Sequence, residues 1–306
     1  MRRIAKIQVD DYRLIGTYHE PASADGVNCP ARDIALVILN FAQMPRAGLA
    51  DLSVQLADKQ ASLGFPTFRF DMPGLGDSAG MDHEGVHDIW KFTESGGFAQ
   101  FATALVHRLI TQYHLRGVVL GGVCGGAITS LYATDKLPTG VVGLALLEPS
   151  YNRIEASDTQ MPGKPAMKKG GANEKINRWR QLRTNLRTKS HTGGLRYLQK
   201  SYTSLRQALE LVTGPRFPEC INRPLVDVSR RVAARGLPIL LVSAGSSQRW
   251  LFRYQVFGRI RKSKITFVEI EGTNHMLVSG GGKTKVIEHM GAWMMRTFPI
   301  VEKLAA

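Results

Sequence analysis

The chain has 306 residues, is 43% hydrophobic and carries a net charge of +15, so it holds enough apolar material for a sizeable core and is no acidic or disordered tail. Its three cysteines, Cys29, Cys124 and Cys220, show neither pairing nor metal-ligand spacing. They argue against a disulfide framework or a zinc site, and they point to a reducing, cytoplasmic setting. The start, MRRIAKIQVDDYR, has arginines but no apolar stretch behind them, and no run reaches the roughly 18 uncharged apolar residues of a membrane span. Neither a signal peptide nor a span is therefore expected.

In chain order, residues 6–9 and 13–18 read as antiparallel edge strands. Residues 34–41 (IALVILNF) read as a buried strand, 49–63 as a helix ended by Gly64-Phe65-Pro66, and 67–71 (TFRFD) as the next strand. A helix over 98–113 precedes a strand over 117–121 (GVVLG) and a helix over 125–134. Residues 141–147 (VVGLALL), 238–243 and 265–271 are further strands, and 284–297 closes the pattern as an amphipathic helix. Continuously apolar strands separated by helices imply a mostly parallel sheet covered on both faces.

Residues 151–235 interrupt this rhythm. They show no strand pattern, open on a Gly/Pro/Lys-rich stretch at 161–172 and turn helical over 173–212. They also carry 18 Lys/Arg against 6 Asp/Glu, an excess of +12. The expected organisation is a core over 1–150, a helical cap over 151–235 and the rest of the core over 236–306. The charge is open to two readings: a solvated helical surface, or attraction of an anionic partner through Arg178, Arg180, Arg183 and Arg187, several of which share a helical face. No helix-turn-helix, RNP-like or zinc-finger pattern speaks for nucleic acid.

Gly122-Val123-Cys124-Gly125-Gly126 fits G-x-[S/C]-x-G between an apolar strand and a helix. Glycines two positions either side relieve a tight turn. The helix N-terminus behind Cys124 is expected to favour its thiolate and to aim the Gly125 N–H at a developing oxyanion.

Together with the run from Phe68 to Ser78 (FRFDMPGLGDS), this turn makes the chain resemble α/β hydrolases of the serine aminopeptidase S33 type over nearly its whole length. The run is similar to that family's strand-4 signature, an aspartate followed by P/R-G-x-G-x-S. The loop Gln43-Met44-Pro45-Arg46-Ala47-Gly48 resembles the Q-x-R-x-G loop of exosortase-associated hydrolases, which also carry a cysteine in this turn, usually followed by aspartate. Here Gly125 takes that place. The resemblance implies an α/β-hydrolase fold, a second oxyanion donor from Ala42 or Gln43, and no metal or organic cofactor. It leaves Asp71, Gly74, Gly76 and Asp77 as loop-shaping residues that touch no substrate.

His275, in Gly272-Thr273-Asn274-His275-Met276 between the last strand and last helix, stands where that family has its base. The family's acid after strand seven is missing, because Gly245-Ser246-Ser247-Gln248 puts Ser247 there. Glu148, at the end of LALLEPS, is the candidate replacement. A Cys–His pair oriented by a Ser or Gln side chain is the other route. The expected activity is hydrolysis of an ester, thioester or amide through a Cys124 acyl-enzyme. Transfer of the acyl group to another acceptor, or an inactive binding module, are the alternatives. The substrate is expected to be a small acyl compound, with an anionic coenzyme-A or carrier-protein thioester as one form.

Overall fold

The computed structural model describes residues 1–21, 32–40, 42–153, 221–245, 256–257 and 264–299. Among them the chain divides into two compact units, Met1–Tyr151 with Asn222–Ala306, and Asn152–Ile221.

The first unit is built on a sheet whose described strands number eight, in the order β1-β2-β4-β3-β5-β6-β7-β8. The strands are β1 (Arg2–Val9), β2 (Tyr12–His19), β3 (Ile34–Leu39), β4 (Thr67–Phe70), β5 (Gly117–Val123), β6 (Val141–Leu147), β7 (Pro238–Ser243) and β8 (Lys264–Glu269). β1 and β2 pair as an antiparallel hairpin, and β2 lies antiparallel to β4. From β4 onward every neighbouring pair is parallel. The burial pattern follows from position: β1 buries alternate residues, Ala5, Ile7 and Val9, whereas all six residues of β3 and all seven of β5 are buried. An edge strand needs one apolar face; a central parallel strand needs two.

The described helices are α1 (Leu52–Ser62), α2 (Val86–Glu94), α3 (Ala99–Gln112), α4 (Gly125–Lys136), α5 (Arg223–Ala234) and α6 (Gly282–Thr297). α1 and α6 sit over one face, where Leu52, Leu56, Met290 and Trp293 pack on Leu36, Val119 and Val242. α4 packs against β5 and β6 and touches α2, α3 and α5. The sheet is thus flanked by helices, as the apolar runs imply.

Two expectations need correction. α2 has no counterpart among the expected elements: it is short, at nine residues, and buries only Ile89 and Thr93. The residues from 222 to 235, expected in the cap, belong to the core unit. Asn222 caps α5 by accepting from Leu225 N at 3.1 Å, and the helix buries Leu225, Val226, Val228 and Val232. Its Ser229 Oγ meets the buried Tyr151 hydroxyl at 2.7 Å. Of the second unit only Asn152, Arg153 and Ile221 are described, and Asn152 pairs with Ile221 in an antiparallel bridge.

At the end of β2, the buried His19 is held from both sides. Its Nδ1 donates to Asp58 Oδ1 at 2.8 Å and its Nε2 accepts from Arg69 Nε at 2.9 Å, which fixes a neutral ring. Burial and then the Arg69 charge push it down from 6.5 to about 4. The unfolded chain therefore binds a proton here that the folded chain refuses. Stability is full above pH 6.5 and is lost as the pH falls through about 4, by roughly 3 kcal/mol once both values are passed. We expect thermal melting curves taken from pH 7 to pH 4 to show this decline, and His19→Gln to flatten it. An equally steep decline in the variant would assign the acid sensitivity to other groups.

Candidate active site

β5 ends at Val123 and the chain turns into α4 through Cys124, at φ 48° and ψ −101°. A left-handed φ on a residue with a Cβ costs about 1–3 kcal/mol and persists only where the surroundings enforce it. Here Cys124 N donates to Leu147 O of β6 at 2.8 Å, and Ile128 N donates to Cys124 O at 3.0 Å. The flanking glycines answer to close packing. A Cβ on Gly122 would stand 2.6 Å from Leu39 O, and one on Gly126 would meet the same oxygen and Asn40 O. These absent side chains let the first turn of α4 rest on the end of β3.

That contact brings the two oxyanion candidates of the main chain together. A Cβ built on Gly125 has its three nearest atoms in Ala42, the nitrogen at 2.9 Å. Of Ala42 and Gln43, Ala42 is therefore the one whose N–H borders Gly125.

The Cys124 thiol departs from the sequence expectation. It is 1% exposed, and burial pushes the thiol up, with the negative charge of Glu148 adding to the rise. Hydrogen bonds from the Gly125 and Ser150 N–H groups pull the other way and do not compensate. A helix N-terminus favours a thiolate, but desolvation outweighs it here, so the resting group is a neutral thiol. The Ser150 N–H was not legible in the sequence, since a backbone donor leaves no residue signature.

Glu148, the first residue after β6, also has a left-handed backbone, at φ 48°. Its N–H donates to Val242 O at 2.8 Å, which turns the side chain across the end of β7. Fully buried, it accepts from Ala244 N–H at Oε1, and its Oε2 lies 2.9 Å from His275 Nδ1. His275 stands on a loop wound around Asn274: Asn274 N donates to Ser279 Oγ at 2.8 Å, Asn274 Oδ1 accepts from Val278 N at 3.2 Å, and Asn274 O accepts from Leu277 N at 2.8 Å. Leu277 is fully buried and pins the loop to the core. With Nδ1 given to Glu148, Nε2 of the half-exposed ring is the nitrogen left to take a proton. The structure thus brings Glu148 to His275, and Ala42 and Gly125 to Cys124. Ser247, Cys29, Cys220 and the arginines Arg178, Arg180, Arg183 and Arg187 lie outside the described residues.

Comparison with known proteins agrees with the fold. A family model described as "Alpha/beta hydrolase family" matches residues 45–280. No curated protein matches the chain in sequence. Among solved structures, a dienelactone hydrolase from Anabaena variabilis superposes with a TM-score of 0.57 at 13% identity, over 97% of each chain. Est1E from Butyrivibrio proteoclasticus, solved with ferulic acid bound, gives 0.57 at 15% identity over 95% of this chain and 98% of its own. A serine hydrolase without a lid from Xanthomonas campestris gives 0.53 at 12% identity over 98% and 96%. At these identities the likeness is one of fold.

The bond between Glu148 and His275 makes a testable demand. In Glu148→Gln, the amide oxygen would keep Ala244 N–H and the amide NH2 would face Nδ1, forcing the ring proton onto Nε2, where it blocks proton uptake. Turnover should fall at least about 10-fold with little change in melting temperature. Steady-state kinetics of Glu148→Gln beside His275→Ala checks this. If the first keeps its kcat while the second is dead, His275 works without Glu148.

Proposed function

The chain belongs to the alpha/beta hydrolase family, and from that footing we propose that it cleaves an ester, thioester or amide by way of a covalent acyl-enzyme on Cys124. One observation carries the reading: His275, through Nδ1, meets a fully buried carboxyl group at 2.9 Å, which supplies the acid that the segment after strand seven lacks. Within the family, the Phe68–Ser78 run, the Gln43–Gly48 loop and the cysteine in the turn favour the S33-like, exosortase-associated group.

The chemistry follows from the neutral thiol. His275 Nε2 takes the Sγ proton as sulfur attacks the carbonyl carbon. The negative charge arriving on the carbonyl oxygen is met by the N–H groups of Gly125 and Ala42. When the tetrahedral species collapses, the bond to the leaving group breaks and the imidazolium returns its proton to that group, leaving a thioester on Cys124. Water, deprotonated by His275, then attacks the thioester, releases the acid and restores the thiol. A cysteine specifically favours a second reading, acyl transfer, because a thioester passes its acyl group readily to an alcohol, amine or thiol.

Intact-protein mass spectrometry after brief exposure to a panel of activated esters and acyl thioesters tests the proposal. We expect an added acyl mass that maps to Cys124, and neither adduct nor turnover in Cys124→Ala. Turnover surviving in Cys124→Ala would end the cysteine mechanism. Absence of turnover and adduct across the panel would favour a binding module. Product analysis with and without an amine or alcohol acceptor separates hydrolysis from transfer.

The cationic segment over 151–235 further suggests that anionic acyl compounds are preferred. The attraction is screened beyond about 8 Å at physiological salt. So kcat/KM for a coenzyme-A thioester should fall steeply with added salt while kcat stays level, and a small neutral ester should respond little. Equal, flat responses would reduce Arg178, Arg180, Arg183 and Arg187 to a solvated surface.

A further inference from the structure

The loop between β3 and α1 carries Ala42, and its backbone there is strained, at φ 36° on a residue with a Cβ. Nothing in the local sequence enforces that conformation, since an alanine relaxes readily to negative φ. The constraint comes from two consecutive residues at the end of β4. Asn40, almost wholly buried, points its amide along the loop: Nδ2 donates to Ala42 O at 2.9 Å and to Met44 O at 3.0 Å, and Oδ1 accepts from Met72 N at 3.2 Å. At the far end, Arg46 is gripped by the neighbouring Asp71. Arg46 N donates to Asp71 Oδ1 and Arg46 Nη1 to Asp71 Oδ2, both at 2.6 Å.

The same guanidinium reaches Asp77 Oδ2 at 2.6 Å and Thr17 Oγ1 at 3.1 Å, and Arg46 O accepts from Arg69 Nη1 at 2.8 Å. Asp71 has no exposed surface; burial pushes its carboxyl group up, while Asp77 N–H and Arg46 pull it down. Asp77 N donates to Asp71 Oδ2 at 3.2 Å, and Ser78 Oγ donates to Asp71 O at 2.8 Å. The strand-4 signature therefore folds back on its own aspartate and presents it to Arg46. A side chain that satisfies a buried carboxyl group in this way has little freedom to move, so the loop it belongs to inherits a fixed position.

We infer that Asn40 and Arg46 are positioning residues for acyl transfer, which through Asp71 and Met72 hold Ala42 where its N–H shares the oxyanion with Gly125. The inference rests on the acyl-enzyme reading given above. Neither residue touches the reacting atoms. Their effect runs through the place of one backbone donor, for which a misplacement on the order of 1 Å is worth about 100-fold in rate.

Two reactions of Cys124 separate this role from general support of the fold. Acylation by an activated ester places charge on a carbonyl oxygen and needs the donor pair. Alkylation by iodoacetamide displaces iodide at a saturated carbon and needs only the sulfur and its base. Asn40→Asp replaces the amide donor with a carboxyl oxygen against Ala42 O and Met44 O. Arg46→Gln removes the fork from a partly exposed site and so carries the test if Asn40→Asp fails to fold, while Arg46→Lys restores the charge alone.

In the full chain, with melting temperature as the fold control, we expect acylation to drop at least about 10-fold in Asn40→Asp and Arg46→Gln, through kcat with KM level. Alkylation should stay within about 2-fold of the parent, since it makes no oxyanion. Arg46→Lys should fall between Arg46→Gln and the parent. Unchanged acylation in folded variants would overturn the inference, and so would acylation and alkylation falling together. A parent protein that forms no acyl adduct on Cys124 would instead overturn the acyl-enzyme reading on which the inference stands.

Discussion

The Glu148 carboxyl group lies where water does not reach, and the geometry of the site follows from how its two oxygens are satisfied. A carboxyl group buried without partners is costly, so each oxygen must find a donor. Ala244 N–H at the end of β7 takes one, and His275 Nδ1 takes the other. The first fixes the side chain to the sheet. The second then fixes a ring on a loop that follows a different strand. Because Glu148 N also donates to Val242 O, the residue is tied to β7 by backbone and side chain alike, and His275 acquires the rigidity of the sheet rather than that of its own loop.

Part of the backbone strain lies at the same edge, although other left-handed residues, such as Asp10 and His114, lie elsewhere. Three strands adjacent in the sheet, β3, β5 and β6, are each followed within three residues by a non-glycine residue at left-handed φ: Ala42 at 36°, Cys124 at 48° and Glu148 at 48°. Within these strands the side chains are packed, and the one register shift, at Val118 and Val119, lies far from the strand ends that form the site. The departure begins where parallel pairing ends and N–H groups become available for something other than the ladder. Each deviation is compensated by bonds: Leu147 for Cys124 and Val242 for Glu148, both distant in sequence, and for Ala42 the neighbouring Asn40, itself held by the distant Met72. A local conformation that the residue itself disfavours is thus imposed by the tertiary structure, the usual condition of groups that must be pre-arranged.

What the sequence makes legible divides along this line. Buried parallel strands announce themselves because both faces are apolar, so the strands expected over 34–41, 117–121 and 141–147 stand as Ile34–Leu39, Gly117–Val123 and Val141–Leu147. The turn at Cys124 is legible because close packing demands glycine at 122 and 126. Glu148 can be nominated from its place after β6, but its pairing with His275 depends on how β7 passes beneath it, which no local pattern encodes. α2 escapes because it is short and buries only two residues, and the place of α5 in the core is hidden because a charged helix next to a charged insertion shares its composition. The grip of Asp71 on Arg46 spans 25 positions, so although each stands in a recognisable motif, no local pattern pairs them. The state of the thiol was misread for the same reason: helix position is local and visible, while burial is a property of the whole fold.

That burial bears on why sulfur occupies the turn in a fold whose solved relatives include a protein described as a serine hydrolase. A buried nucleophile beside the negative charge of Glu148 resists ionisation, as the raised thiol shows. In the proposed route the proton that leaves Cys124 passes to His275, so the two charges arise together. That linkage leaves no isolated thiolate in a site that burial makes unfavourable to one. A thiol starts several pKa units closer to ionisation than a serine hydroxyl and can meet that linkage despite its desolvation. On the acyl-enzyme proposal, the cost of a neutral resting state is confined to the moment of attack, where the Gly125 and Ser150 N–H groups would face the charge that sulfur briefly carries.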